Sequence, residues 1–104
     1  MIKDPEISKH LIISTIHISP NDVELLRIFD RNGQGIVADE YPYGYRVHCF
    51  IEDGLHDVIK TNLIEKGFSK EFVAIMFIAH ELECDWVDFD QDGPEYPELF
   101  QFEW

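Results

Sequence analysis

The chain reads as a single α+β domain over residues 1–104, with a mainly antiparallel sheet of about four strands and three helices on one face. The expected order is β-α-β-β-α-α-β. Three observations carry this reading. Short β-branched or alternating stretches are interleaved with longer stretches at helical spacing. Cap and turn residues separate them at short intervals, which favours hairpin-like neighbours. A chain of 104 residues with 45% hydrophobic and 13% aromatic content can bury one real core. Repeats, linkers and low-complexity stretches are absent from the sequence.

Residues 11–18, LIISTIHI, are rich in β-branched side chains and suit a strand. Ser19-Pro20-Asn21-Asp22 then signals a helix start: Ser19 caps, Pro20 suits the first helical position, and Asp22 is a capping-box-like acid three residues on. Val23, Leu26 and Ile28 or Phe29 form its apolar side, and Asn32-Gly33 stops it. Residues 35–40 suit a short strand, 41–44 a turn, and 45–51 another strand. Alternation puts Tyr45, Val47, Cys49 and Ile51 on one face and Arg46, His48 and Phe50 on the other.

Asp53 is the expected cap of a second helix carrying Leu55, Val58, Ile59 and Leu63, ended by Gly67. Ser69 caps a third, running to about Glu83. Phe72, Ile75, Met76, Ala79 and Leu82 make one face of it, yet Val73, Phe77 and Ile78 lie elsewhere. A helix apolar nearly all round is central or covered by a partner; in the second case Val73, Phe77 and Ile78 form a homodimer seam, and a dimeric structural or interaction domain is one alternative function. Residues 84–89 form a last strand, broken by Gln91-Asp92-Gly93-Pro94. The tail, with Leu99, Phe100, Phe102 and Trp104, is apolar enough to dock on the body.

Net charge is −13, unevenly placed: residues 71–104 hold 10 acids and no Lys or Arg. Such a field repels nucleic acids and anionic membranes and attracts basic surfaces. An acidic balance also serves plain solubility, which accounts less well for its one-sidedness. No stretch is apolar enough for a membrane span, and MIKDPEISKH has acids where a signal peptide is apolar, so a cytoplasmic location is expected. Cys49 and Cys84 are expected as free thiols.

Complete catalytic motifs are missing: there is no phosphate-binding glycine loop and no G-x-S-x-G, and neither cysteine has a marked base or oxyanion hole. The expectation is a protein that is not an enzyme and carries no cofactor. Asp88-Phe89-Asp90-Gln91-Asp92-Gly93 matches the start of a calcium loop, but position 12 is Leu99 rather than an acid. A small calcium-binding module using Asp88, Asp90 and Asp92 is therefore one alternative, beside the dimeric structural or interaction domain. His80 and Cys84, at i and i+4, form half of a zinc site without a second ligand pair. His10, His17 and His56 read as ordinary surface or strand-face residues. Tyr41, Tyr43 and Tyr45 form either an interface cluster or a packed turn.

The same acids have an outward reading. Alternate side chains of a strand sit about 6.7 Å apart, close to the roughly 7 Å between neighbouring phosphates of one nucleic-acid strand. Asp88, Asp90 and Asp92 then imitate phosphates, and Glu95 and Glu98 extend the array. Glu81 and Glu83 lie at the negative end of the third helix, followed by Asp85, and acids there cost up to about 1 kcal/mol each. Such a cluster points to a functional surface. The expected partner-binding set is Glu81, Glu83, Asp85, Asp88, Asp90, Asp92, Glu95 and Glu98, facing a basic nucleic-acid-binding protein.

Residues 14–20, STIHISP, residues 86–93, WVDFDQDG, and the ending Phe102-Glu103-Trp104 together resemble an uncharacterised family of small accessory proteins. Its members occur on bacterial plasmids and prophages, often among antirestriction genes. The resemblance implies a mobile-element setting and carries no catalytic residues with it. By analogy it implies an anti-CRISPR or antirestriction inhibitor, a DNA mimic that occupies the basic groove of a CRISPR effector or restriction enzyme. Members of that family are less acidic through the tail, so the mimicry rests on this chain's own residues.

Overall fold

The computed structural model describes residues 6–31, 36–49 and 51–103. Its elements are β1 (His10–Ser14), α1 (Pro20–Arg31), β2 (Ala38–Tyr41), β3 (Gly44–His48), α2 (His56–Glu65), α3 (Lys70–Glu81) and β4 (Trp86–Asp90). The expected order and the α+β class both hold. The four strands lie in the order β1-β4-β3-β2. Strand β4 pairs antiparallel with β3 and parallel with β1, while β2 and β3 form an antiparallel hairpin. The sheet is therefore mixed, with the last strand of the chain inserted at its centre.

Alternation sorts the two faces. Leu11, Val87 and Val47 share one cross-strand row and Ile13, Phe89 and Tyr45 the next. Val47, Val87 and Phe89 are fully buried under the helices. Phe72 of α3 stacks between Phe89 and Phe68, with ring centroids 6.2 and 4.8 Å away. Helix α3 is the middle layer, which explains its apolar circumference: Phe72, Val73, Ile75, Met76 and Ala79 are all buried.

Local signals set most boundaries. Ser19 accepts the Asp22 N–H at 3.0 Å, and Ser69 accepts the Phe72 N–H at 3.1 Å, both as N-caps do. Gly67, at φ +99°, ends α2 in a left-handed conformation while its own N–H and that of Phe68 return to Ile64 and Leu63. The Asn32-Gly33 stop lies outside the described residues, as do the placements expected of Phe50 and Trp104.

Three local expectations are corrected. The first strand ends at Ser14, not at residue 18, because the Ser14 hydroxyl accepts the Ile16 N–H and starts a short 3-10 turn over Thr15–His17. Helix α2 begins at His56 with Leu55 at its N-cap position and no side-chain cap, and Asp53 turns to histidines instead. Val58 is 65% exposed, so α2 buries little besides Leu63.

The tail docks in part, with Leu99 and Phe102 half-buried and Phe100 exposed, and a histidine anchors it. His17 is fully buried, not a surface residue. Its Nε2 accepts the Tyr96 N–H at 3.0 Å, so its Nδ1 carries the proton and donates to the Phe100 carbonyl at 2.9 Å. The Phe102 N–H donates to the Ile16 carbonyl at 2.7 Å.

Candidate functional site

The acids of the last third separate into two groups. Glu81, Glu83, Asp85, Asp92, Glu95 and Glu98 are exposed, whereas Asp88 is 5% exposed and Asp90 is half-buried. The expected row of three free carboxylates is thus not formed. The sheet register explains why: Asp88 lies between Ile12 and Arg46 in one row, and Asp90 between Ser14 and Gly44 in the next.

Asp88 is neutralised by this chain's own residues. Arg46 Nε and Nη2 donate to its two oxygens at 2.9 and 3.2 Å, and His10 Nδ1 donates at 3.0 Å. Burial pushes the carboxyl up, but the guanidinium and the imidazole outweigh it and hold it below its ordinary value. A carboxylate spent in this way is a structural strut, not a phosphate imitation. Beside it, the Arg46 guanidinium lies over the Tyr41 ring, 5.1 Å from the centroid. The Tyr41 hydroxyl donates to Asp90 at 2.8 Å, and burial together with that carboxylate raises the phenol well above its usual range. Trp86 fills the neighbouring row between His10 and His48.

The calcium-loop residues do not converge either. Asp90 accepts the Asp92 N–H at 2.8 Å, while Asp88 is committed to Arg46 and His10. Gly93 has a packing reason instead: a Cβ there would lie 2.6 Å from the Ile13 carbonyl oxygen, where the tail crosses β1.

A different surface presents the exposed acids. Leu11, Ile13, Ile75, Ile78, Leu82, Tyr96, Glu98 and Leu99 line an apolar cleft of about 270 Å³ between β1, α3 and the tail. Glu81 and Glu83 flank Leu82 in the chain, and Glu95 precedes Tyr96. Carboxylates therefore stand beside exposed apolar side chains. Glu83 has φ +59° at the position after the α3 cap, where glycine is the unstrained choice. The negative helix end is partly compensated: Lys9 Nζ donates to the Leu82 carbonyl at 2.6 Å, and the Lys9 N–H donates to Asp85 at 2.8 Å. That contact brings together residues 73 apart and left no mark on local sequence.

The seam proposed through Val73, Phe77 and Ile78 is not a single surface. Val73 is 2% exposed, and Val73 and Phe77 line a cleft toward α2, while Ile78 lines the cleft beside β1. Helix α2 covers what the sequence left open. Both cysteines are free, Cys84 buried and Cys49 half-buried. Burial pushes the Cys49 thiol up, away from nucleophilic character. The three tyrosines diverge: Tyr41 bonds Asp90, Tyr43 is exposed, and Tyr45 packs against the core. Among the described residues no helix is long and apolar enough to cross a membrane.

A family model described as the C-terminal domain of a family of unknown function, DUF5983, matches residues 10–104. No curated protein and no solved structure matches the chain.

Proposed function

Because the chain belongs to the DUF5983 family of unknown function, we propose its role from its own surface: a binding protein, not an enzyme, that docks on a basic partner. The observation that carries this is the set of exposed carboxylates Glu81, Glu83, Asp85, Asp92, Glu95 and Glu98 in a segment without Lys or Arg, with Glu98 lining the apolar Leu82–Tyr96 cleft and Glu81, Glu83 and Glu95 next in the chain to its lining residues. Apolar contact supplies affinity, and the charge rim steers encounter and selects the partner.

The partner class that fits is a protein whose basic groove otherwise holds nucleic acid. The resemblance to plasmid and prophage accessory proteins supports a bacterial defence nuclease or CRISPR effector, which the protein would inhibit. Asp88 is left out of the contact set, and Asp90 is at most peripheral to it. The partner meets separated acids beside an apolar cleft, not a regular phosphate-like row.

The test uses the protein as bait in a bacterial lysate at low and high salt, beside a variant with Glu81, Glu83, Glu95 and Glu98 changed to Lys. The expected result is capture of a nucleic-acid-binding protein that weakens with salt, is displaced by duplex DNA, and is lost in the variant. Undiminished capture by the folded variant, or captured protein indifferent to DNA, overturns the reading.

A further inference from the structure

A second cluster lies apart from the acidic surface, where α2 begins and α3 ends. Asp53 precedes α2, His56 is the first residue of α2, and His80 sits in the last turn of α3. Asp53 Oδ1 lies 2.9 Å from His80 Nε2 and 3.6 Å from His56 Nε2. The ligand atoms of all three residues fall within 4.8 Å of one another. In a tetrahedral zinc site with bonds near 2.0 Å, ligand atoms stand about 3.3 Å apart. The two Asp53 separations bracket that value, and the two imidazoles, within 4.8 Å of one another, are drawn in by rotation of the His80 and Asp53 side chains.

The surroundings favour a cation. Among the described residues, no Lys or Arg pairs with Asp53, which faces the two imidazoles. The His56 ring packs edge-on against both Phe77 and His80, with centroids 5.5 and 5.2 Å away, which limits its rotation. Helix α2 lacks a side-chain N-cap, so nothing else of that kind holds its first turn. The negative end of the α3 dipole lies at His80.

We propose that Asp53, His56 and His80 form a binding site for a first-row divalent cation of borderline softness, zinc above all. Two imidazoles and one carboxylate match that class and not calcium or magnesium, which take oxygen ligands. Three protein ligands leave a fourth position for water. The ion clamps the start of α2 to the end of α3, replacing the missing cap with a bridge. The half-motif His80–Cys84 is not the site, because the Cys84 thiol is buried and directed to the Leu82 carbonyl.

The test is titration of the metal-free protein with Co²⁺ followed by its visible absorption, then displacement by Zn²⁺. Thermal unfolding with zinc and with EDTA runs in parallel. The expected result is one ion per chain, tetrahedral bands without sulfur-to-metal charge transfer, and a melting temperature raised by several degrees in excess zinc. Asp53→Ala and His56→Ala alter exposed side chains and keep the fold, and each weakens binding by about tenfold or more. A double Cys49→Ser, Cys84→Ser variant binds unchanged. Binding that survives Asp53→Ala with His56→Ala, sulfur charge-transfer bands, or no saturable binding by the wild-type protein each overturns the site.

Discussion

Asp22 and Ser69 are joined by two hydrogen bonds across 47 residues of chain: the Ser69 N–H donates to Asp22 Oδ1 at 2.9 Å and its hydroxyl to Oδ2 at 2.6 Å. Ser19 donates to the same Oδ2 at 2.8 Å. One fully buried carboxylate thus ties the N-caps of α1 and α3 together. Asp22→Ala leaves the Ser69 N–H and two hydroxyls without their acceptor, and a loss of about 2–4 kcal/mol is expected in urea unfolding. Asp22→Asn keeps an acceptor and loses less. A change under about 0.5 kcal/mol for Asp22→Ala would contradict the bridging role.

Asp88→Asn tests the strut on the open face of the sheet. Arg46 is partly exposed, so water compensates some of the lost pairing, and about 1–2 kcal/mol is expected at neutral pH. The folded carboxyl lies below its unfolded value, so its contribution is full above that value and is lost as pH falls through the lower, folded one. The stability gap between wild type and variant should be present at neutral pH and close below about pH 4. A gap that persists at low pH points to packing, not charge.

Glu83→Gly separates function from stability. The backbone there is left-handed, so glycine should stabilise the protein by about 0.5–1 kcal/mol. If Glu83 belongs to the docking surface, the more stable variant binds the basic partner less well. Stabilisation with unaltered binding would remove Glu83 from the contact set.

His17→Ala tests the anchoring of the tail. It leaves the Tyr96 N–H and the Phe100 carbonyl without a partner, with a loss of about 2–3 kcal/mol. Limited proteolysis should then cut within residues 94–103 well before the body of the domain. Cleavage at the wild-type rate would mean that Phe102 and Leu99 hold the tail unaided.

The acidic surface shows where reading a chain without coordinates succeeds and where it stops. Exposure of Glu81, Glu83, Asp85, Asp92, Glu95 and Glu98 agrees with composition alone, since isolated carboxylates avoid burial. Asp88 is the exception, because its partner Arg46 lies 42 residues away in the chain. Nothing near Asp88 announces Arg46; only the β3–β4 register does. The zinc ligands are of the same kind, for His80 is 27 residues from Asp53.

The caps at Ser19 and Ser69, the glycine end of α2 and the alternation of β3 were decided within a few residues of chain. Cap hydrogen bonds, left-handed turns and strand periodicity act over such short distances and leave a local trace. The insertion of β4 between β1 and β3, the covering of Val73 by α2, and the bonds of His17 to the tail were decided by packing. These depend on which distant segments share one core. Burial rewards many pairings of apolar segments about equally, so their arrangement is set only when the whole chain is assembled.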